Sequence, residues 1–283
     1  MTFAVFDIGG TKTRIGFSKD GKKIDTVKSF KTDPKPEQGL AEVAAMITAE
    51  AGTDLKAIAG GVRGVLREDH LGIDHDGILT KWANVSIVDF LAGEFKVPVW
   101  LQNDTALAGL GEAIYGAGKG VGLVVYHTIS TGVGGVKIEN GVIDMASVGF
   151  EPGHQVLDID RTILGEDVPP TLENLVSGRA LEGRMGVKPY DIDQDDVIWD
   201  ELAGYLAQGL RNTVLYWSPE AIVLGGSMMV GDPKIPLESV RRATVAVLDG
   251  VMPCPFITTA ELGDEAGVHG ALAFLQQKLK DVK

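Results

Sequence analysis

Residues 3–22 read FAVFDIGGTKTRIGFSKDGK, an apolar run that leads into an aspartate, a glycine pair and a second apolar run. The pattern predicts a buried strand over 3–9 and an antiparallel partner over 13–18. Asp20-Gly21 supplies the positive backbone angles of a tight hairpin, and a third strand is predicted over 23–31. The glycine pair, with an aspartate before it, therefore lies in the turn between the first two strands.

The same plan recurs in residues 123–142, LVVYHTISTGVGGVKIENGV. An apolar strand again leads into a turn of hydroxyl residues and glycines, a second strand follows, and Asn140-Gly141 provides a polar hairpin turn. Three-strand meanders followed by alternating strands and helices are typical of α/β layers. The sequence thus predicts an α/β protein with a duplicated strand meander and a cleft between the two repeats.

Hydrophobic spacing predicts the remaining elements. Further strands are predicted over 57–66, 97–104, 142–147 and 257–262, and a strand, a Gly-Gly turn and a helix over 221–229. Helices are predicted over 37–51, 86–95, 105–116, 171–186, 196–217 and 265–280. The helix over 105–116 is rich in small residues, which permit close packing against a neighbour.

The chain length sets the expected domain organisation. A chain of 283 residues exceeds the size that one hydrophobic core usually serves, so two domains are expected. The predicted N-terminal domain comprises residues 1–116 and the C-terminal helix 265–283, and the second domain comprises 117–264. Because no low-complexity linker separates the halves, the domains are expected to be closely joined.

Charge and cysteine content exclude several classes of partner and compartment. Lys and Arg total 26 against 39 Asp and Glu, a formal net charge of −13. This acidic balance argues against nucleic acid and anionic lipid as partners. No apolar run approaches the length of a membrane span, and a signal peptide pattern is absent. The single cysteine, Cys254, cannot form an intrachain disulfide, which favours a cytoplasmic location.

The two glycine turns are candidate phosphate sites. Glycines after a strand let the backbone approach a ligand closely, and free amides there can bind phosphate oxygens. Neither the Walker pattern nor the Rossmann fingerprint occurs at these turns. Asp7 is a candidate holder of hydrated Mg²⁺, Thr11 and Thr131 offer hydroxyls to phosphate, and Lys12 supplies a counter-charge. The alternative is that both turns are ordinary structural hairpins.

Asn103-Asp104 ends a predicted strand at the start of a predicted helix, where α/β sheets place ligands. A carboxylate there can accept the proton of a substrate hydroxyl during attack on phosphorus, which contributes about 10² to 10⁴ in rate. The alternative interpretation makes Asp104 a helix N-cap. One carboxylate can serve both purposes.

Taken together, these motifs resemble those of the ROK family of sugar kinases, within the actin-like and hexokinase-like ATPase superfamily. The resemblance extends over nearly the whole chain. DIGGTKTRIG resembles the first phosphate motif of that family, STGVGGVKIENG the second, and QNDTALAGLGEAIYGAGKG the catalytic segment. EPGH resembles the sugar-binding E-x-G-H element, VLGGSM the adenosine-side strand and turn, and LGDEAGVHGAL the closing segment. The resemblance implies two ribonuclease-H-like domains.

The resemblance also implies roles for individual residues. Asp104 takes the position of the catalytic base, and ATP with Mg²⁺ is the implied cofactor pair. The residues implied to bind sugar are Asn103, Glu151, His154, Glu173 and Gly64. The residues implied to bind nucleotide are Asp7, Gly9, Gly10, Thr11, Lys12, Thr131, Gly132, Gly225 and Gly226, with Asp7 holding Mg²⁺ through water.

The chain departs from the family pattern after the E-x-G-H element. Family members commonly carry a cysteine-rich stretch that binds structural zinc together with the histidine, whereas this region contains no cysteine. No structural zinc site is therefore expected at His154. The loop is expected to be held by apolar packing of its side chains, namely Ile159, Ile163 and Leu164.

Two further features lie at the end of the predicted strand over 57–66 and in the segment that follows it. Arg63 stands where the family usually has proline, and it is expected either to contact phosphate or substrate or to form a surface salt bridge. EDHLGIDHDG, residues 68–77, contains two histidines and three aspartates, but its spacing favours a solvated loop over a metal site.

These observations lead to one functional hypothesis with stated alternatives. The protein is predicted to be an ATP-dependent hexose kinase that phosphorylates a primary hydroxyl, with C6 of glucose as the first choice. An N-acetylhexosamine kinase, a fructose kinase and a sugar-sensing protein without turnover are the alternatives. Similar proteins are usually dimers, so a homodimer is expected.

Overall fold

The computed structural model describes residues 1–144 and 149–281 and divides into two units. One unit contains Met1–Tyr115 and the C-terminal segment that begins at Asp264, and the other contains Gly116–Asp144 and Phe150–Gly263.

The strands, in chain order, are β1 (Thr2–Ile8), β2 (Lys12–Ser18), β3 (Thr26–Lys31), β4 (Leu55–Val62), β5 (Val65–Leu66), β6 (Ile73–His75), β7 (Val99–Asn103), β8 (Leu123–Ile129), β9 (Val133–Glu139), β10 (Val142–Ile143), β11 (Ala221–Gly225) and β12 (Phe256–Thr259). The α-helices are α1 (Pro36–Ala51), α2 (Ile87–Phe95), α3 (Asp104–Tyr115), α4 (Leu172–Val176), α5 (Gly178–Met185), α6 (Ile198–Trp217), α7 (Ser227–Val230), α8 (Leu237–Leu248) and α9 (Ala266–Asp281).

The first unit is built on a five-stranded sheet in the order β3-β2-β1-β4-β7. β1 pairs antiparallel with β2 and parallel with β4, and β4 pairs parallel with β7. The carboxyl ends of β1, β4 and β7 therefore meet at one edge of the sheet, which is where ligand-binding residues of α/β sheets collect. The core beneath this edge includes Phe6, Ile58, Trp82 and Leu91, each fully buried.

The second unit repeats this arrangement in the order β10-β9-β8-β11-β12. β8 and β9 are antiparallel, whereas β8, β11 and β12 run parallel. The long amphipathic helix α6 buries Leu202, Leu206 and Leu210 in the core of this unit. The predicted duplicated meander in an α/β fold is thus confirmed.

Several element boundaries differ from the predictions. Residues 19–25 form a loop in which Gly21 has positive φ and Asp20 does not, so β3 begins later than the predicted residue 23. The Asp20 carboxylate accepts the backbone N–H of Lys22 at 2.8 Å and stabilises this wider loop. In contrast, both Asn140 and Gly141 have positive φ, as a tight hairpin requires.

Two other differences, and one partly confirmed strand, concern the elements after residue 140. The predicted helix over 171–186 is interrupted at Ser177, whose extended backbone and side chain N-cap α5. The helix α8 was not predicted. The strand predicted over 142–147 is confirmed for Val142–Ile143, while residues 145–147 lie outside the described part of the chain.

Helices α3 and α9 pack unusually closely, and glycines are the reason. A side chain on Gly111 would meet the backbone of α9, and one on Gly270 would meet the backbone of α3. The small residues predicted to permit close packing in α3 therefore do so against the C-terminal helix. This contact brings the N-terminal ends of both helices to the site edge of the first sheet.

Candidate active site

Asp7 lies near the end of β1, where β2 and α9 approach its carboxylate. Its register partner on β2 is Arg14, whose Nη1 lies 4.0 Å from Asp7 Oδ2. From α9, Gly267 approaches so closely that a Cβ there would lie 2.5 Å from Asp7 Oδ2. Burial raises the pKa of Asp7 to about 7, with the charge of Asp104 as the next cause, while Arg14 opposes the rise.

The first glycine turn is closed by a hydrogen bond from the Gly9 N–H to the Lys12 carbonyl at 3.1 Å. Thr32 on the neighbouring segment holds the turn, because its hydroxyl donates to the Gly9 carbonyl at 2.8 Å and its N–H donates to Thr11 at 3.0 Å. The side chains of Thr11 and Lys12 are exposed, as phosphate contacts require. The sequence did not point to Thr32, since its role depends on a contact 23 residues away.

Asn103, the last residue of β7, caps α3. Its Oδ1 accepts the N–H of Ala106 at 3.0 Å, and its Nδ2 donates to the Gly64 carbonyl at 3.0 Å. The alternative interpretation of Asp104 as the N-cap is therefore wrong, since the residue before it fills that position. The amide of Asn103 keeps one N–H and further lone-pair capacity for a ligand.

Asp104 is consequently available for chemistry. Its side chain is partly buried, and its Oδ1 accepts the N–H of Thr105 at 2.7 Å. Burial raises the pKa of Asp104, while the Thr105 N–H and the charge of Arg63 oppose the rise. Asp7 and Asp104 form a pair of carboxylates at the same sheet edge with raised pKa values, which is a feature of functional sites.

Arg63 forms a salt bridge rather than standing free. Its Nε lies 3.0 Å from Asp76 Oδ1, and the Asp76 side chain is only 7% exposed. The other oxygen of Asp76 accepts the N–H groups of Ile78 and Leu79. Gly64 has φ +110°, and a Cβ there would lie 2.9 Å from the His75 carbonyl, so this position requires glycine.

The second glycine turn is anchored by Glu173. Its Oε2 accepts the N–H of Val133 at 2.9 Å, and a Cβ on Gly132 would lie 2.6 Å from the same oxygen. The Oε1 atom accepts from Arg179 at 2.9 Å. Thr131 at the tip of the turn is exposed. The predicted sugar-binding glutamate therefore lies directly against the predicted phosphate turn.

Gly225 and Gly226 follow β11 at the same sheet edge as the second glycine turn. Gly226 has φ +84° and packs against the backbone of Ile129, and the Ser227 hydroxyl lies 3.1 Å from that of Ser130. The structure thus joins these two predicted nucleotide elements within the second unit.

The E-x-G-H element forms a short 3₁₀ turn, Pro152–His154, which follows Glu151 and packs on β9. A side chain on Gly153 would meet the backbone of Val133, so glycine lets the turn approach the strand. The side chains of Glu151 and His154 are exposed. They lie on the segment that contacts β9, the strand following the second glycine turn.

The loop after His154 is not held by the predicted apolar packing. Ile159 is 81% exposed and Ile163 is 43% exposed, although Leu164 does pack against the core. Instead the carboxylate of Asp158, which is 2% exposed, accepts the N–H groups of Ile163 and Leu164. A buried acceptor therefore organises this loop, and the sequence pattern of apolar residues was misleading.

Across residues 1–144 and 149–281, no three His, Cys, Asp or Glu side chains are grouped as a metal site requires. Over the same residues, no helix has the length and apolar character to cross a membrane.

Comparison with known proteins identifies the family. The family model described as ROK family matches residues 3–278. The chain belongs to the ROK family. Membership in this family and the actin-like ATPase fold, both predicted from the sequence, are confirmed.

Curated and structurally solved relatives resemble the chain over nearly its full length. A fructokinase from Streptococcus mutans is 29% identical over 292 aligned positions, which cover 97% of each chain. The crystal structure of a ROK hexokinase from Thermus thermophilus has a TM-score of 0.83 and 28% identity, covering 99% of this chain and all of that one. A ROK family glucokinase from Streptomyces griseus, in complex with glucose and AMPPNP, has a TM-score of 0.78 and 25% identity, covering 98% of this chain and all of that one.

Proposed function

We propose that this ROK sugar kinase transfers the γ-phosphoryl group of ATP to a primary hydroxyl of a hexose. The observation that carries the proposal is the freedom of Asp104. Because Asn103 caps α3, the Asp104 carboxylate, on the first residue of α3 after β7, has no structural role beyond accepting the N–H and the hydroxyl of Thr105. It shares the sheet edge with Asp7 and the first glycine turn.

Asp104 acts as the general base. It accepts the proton of the attacking hydroxyl as the oxygen bonds to phosphorus, and positioned proton acceptors contribute about 10² to 10⁴ in rate. Its raised pKa brings its basicity closer to neutral pH, where proton transfer is more effective. The charge of Arg63 opposes the rise in the pKa of Asp104 and so favours the ionised carboxylate.

The phosphates are bound by backbone and hydroxyl groups of the two glycine turns. Thr11 and Lys12 face solvent in the first turn, and Thr131 does so in the second. Gly9, Gly10 and Gly132 supply backbone that a ligand can approach closely. Gly225-Gly226, against the second turn, serves the adenosine side. Phosphoryl transfer depends mainly on such positioning and on neutralisation of charge.

The residues present fit a Mg²⁺ ion held through water by Asp7. Asp7 and Asp104 repel each other across the site, and a divalent cation would relieve that repulsion. When bound, the ion neutralises charge on the phosphate oxygens. Asp7 would hold the ion through water, and Arg14, whose Nη1 lies 4.0 Å from Asp7 Oδ2, flanks the carboxylate from β2.

Glu151, His154, Glu173 and Asn103 bind the sugar, and Gly64 leaves room beside it. A sugar presents several hydroxyls, which require both hydrogen-bond donors and acceptors. Glucose, phosphorylated at C6, is the proposed acceptor. Fructose is a second candidate, because a full-length relative at 29% identity is a fructokinase. An N-acetylhexosamine is a weaker alternative.

The test is a coupled assay of ADP release over a panel of glucose, fructose, mannose and N-acetylhexosamines. The wild type should turn over at least one hexose in the presence of ATP and Mg²⁺, and Asp104→Asn should lose about 10² or more in kcat. The variant should keep its sugar-dependent thermal shift, since Asn preserves size. Thermal shifts without turnover in the wild type would instead identify a sugar-sensing protein.

The remaining proposals concern assembly and compartment. We propose a cytoplasmic location, which the single cysteine, Cys254, supports. We also propose a homodimer, which several exposed apolar side chains support, among them Tyr216 at 82% exposed. Light scattering of the purified protein tests the dimer, and a monomer at micromolar concentration would contradict it.

A further inference from the structure

Asp264 occupies an unusual position for an exposed acidic residue. Its side chain is 78% exposed, yet its carboxylate pairs with two cations of β2. Lys12 Nζ lies 3.7 Å from Asp264 Oδ2, and the Arg14 guanidinium is in direct contact with the same oxygen. Lys12 and Arg14 are two residues apart on one strand, so their side chains lie on the same face of the sheet.

These two cations lie beside the first glycine turn. Lys12 ends that turn, and the Arg14 side chain, only 16% exposed, faces Asp7, its register partner on the neighbouring strand β1. A phosphate oxygen bound at the turn would meet the same pair of cations that Asp264 now contacts. Arginine offers several N–H donors in a planar fork, which suits phosphate as well as carboxylate.

We propose that Asp264 is an internal competitor for phosphate, and that Arg14 is a phosphate-binding residue which Asp264 covers until nucleotide arrives. This inference rests on the proposed function, because it assigns the phosphates of the donor to the first glycine turn. The ion pair is weak enough to be displaced, because the Asp264 side chain is 78% exposed and water screens its attraction to Arg14.

The position of Asp264 in the chain explains where the displaced carboxylate goes. It lies in the 3₁₀ turn Gly263–Glu265, immediately before α9 begins at Ala266. Negative charge is favourable at the N-terminus of a helix. Release from Arg14 therefore leaves Asp264 in a favourable electrostatic environment, which keeps the exchange between carboxylate and phosphate reversible.

The test uses tripolyphosphate as the probe, measured by calorimetry on the full chain without Mg²⁺ or sugar. Asp264→Asn should bind tripolyphosphate about three- to tenfold more tightly than the wild type at constant ionic strength. The matched control is Glu265→Gln, which removes one negative charge from the same turn. Glu265 pairs with His269 at 3.7 Å and is not paired with Lys12 or Arg14, so its effect should stay below about twofold.

A second pair of variants tests the role of Arg14. Arg14→Gln should weaken tripolyphosphate binding about tenfold, and in the double variant with Asp264→Asn the gain in affinity should disappear. Equal gains in tripolyphosphate affinity for Asp264→Asn and Glu265→Gln would overturn the proposal, because loss of any negative charge in this turn would then explain both. An increased Mg²⁺ requirement in Asp264→Asn would also overturn it, because Asp264 would then serve the metal. Since the probe needs no sugar turnover, failure of hexose-dependent ADP release would refute the proposed function separately.

Discussion

The carboxylate of Glu173 accepts the backbone N–H of Val133 at 2.9 Å and so connects a predicted sugar-binding residue with the second glycine turn. The same carboxylate contacts Arg179, whose side chain is 63% exposed. One residue therefore touches the backbone that follows the second glycine turn while retaining lone pairs for a ligand hydroxyl.

This relationship predicts a specific kinetic signature. Glu173→Ala should raise KM for both the hexose and ATP about tenfold, because it removes a sugar contact and leaves the Val133 N–H unpaired. Glu173→Gln should raise KM mainly for the hexose, since its amide oxygen can still accept from Val133. Steady-state kinetics with each substrate varied in turn checks this. Arg179→Gln is the control, with less than about twofold change, and an unchanged KM for ATP in Glu173→Ala would contradict the link.

The raised pKa of Asp7 predicts the pH dependence of the reaction. In the proposed mechanism Asp7 must be ionised to hold Mg²⁺. Burial raises the pKa of Asp7 to about 7, so kcat/KM for ATP should fall as pH drops through about 7. Arg14 lowers this pKa and Asp264 raises it. Arg14→Gln should therefore move the acid-side fall in kcat/KM for ATP, the acidic limb of the pH profile, to higher pH. Asp264→Asn should move this limb to lower pH. An acidic limb near pH 4 in all three proteins would refute the assignment.

Because α9 approaches Asp7 closely, a single methyl group added at Gly267 is expected to lower both activity and stability. Gly267→Ala would place a Cβ 2.5 Å from Asp7 Oδ2, so it should reduce kcat about tenfold or more and destabilise the protein by about 1–3 kcal/mol. Gly93 in α2 is the matched control, since a Cβ there meets nothing within 4 Å. Gly93→Ala should keep activity and stabilise the protein by about 0.5–1 kcal/mol. Full activity in Gly267→Ala would contradict this prediction, because it would show that α9 can shift away from Asp7 without loss of function.

The buried histidine of β8 predicts acid sensitivity of the fold. His127 is fully buried, its Nε2 lies 3.0 Å from the Thr213 hydroxyl, and burial lowers its pKa to about 4 from an ordinary value of 6.5. Between these values the unfolded chain binds a proton that the folded chain does not. Stability contributed by the neutral ring is therefore present above about pH 6.5 and is lost as pH falls towards 4, by about 3 kcal/mol in total.

Urea unfolding at pH 7 and pH 5 checks this expectation. Between pH 7 and pH 5, the free energy of unfolding of the wild type should fall by about 2 kcal/mol because of His127. His127→Gln should not show this part of the fall. The control variant is His75→Gln, because the His75 side chain is 70% exposed. Its free energy of unfolding should depend on pH as that of the wild type does. An identical pH profile for the wild type and His127→Gln would contradict the burial argument.

Much of the fold was predictable because its signals are local. The alternation in residues 3–18 and its recurrence after residue 123 predicted both meanders, and the polar residues after β7 predicted the position of Asp104. Strand periodicity and turn residues act over a few positions, so they can be recognised without knowledge of the chain path. The boundaries were less accurate, as at Ser177, where a side-chain cap divides one helical pattern into two helices.

The chain path, in contrast, established contacts that no local pattern contains. Arg14 and Asp264 are 250 residues apart in the sequence, and α9 reaches Asp7 only because glycines in α3 and α9 let two distant helices touch. Likewise, the capping role of Asn103 and the burial of Asp158 depend on which amides folding brings near them. Short-range chemistry therefore specified the strands, turns and catalytic candidates of this protein. The packing of distant segments specified which charges face each other, because electrostatic partners are selected by spatial distance and burial.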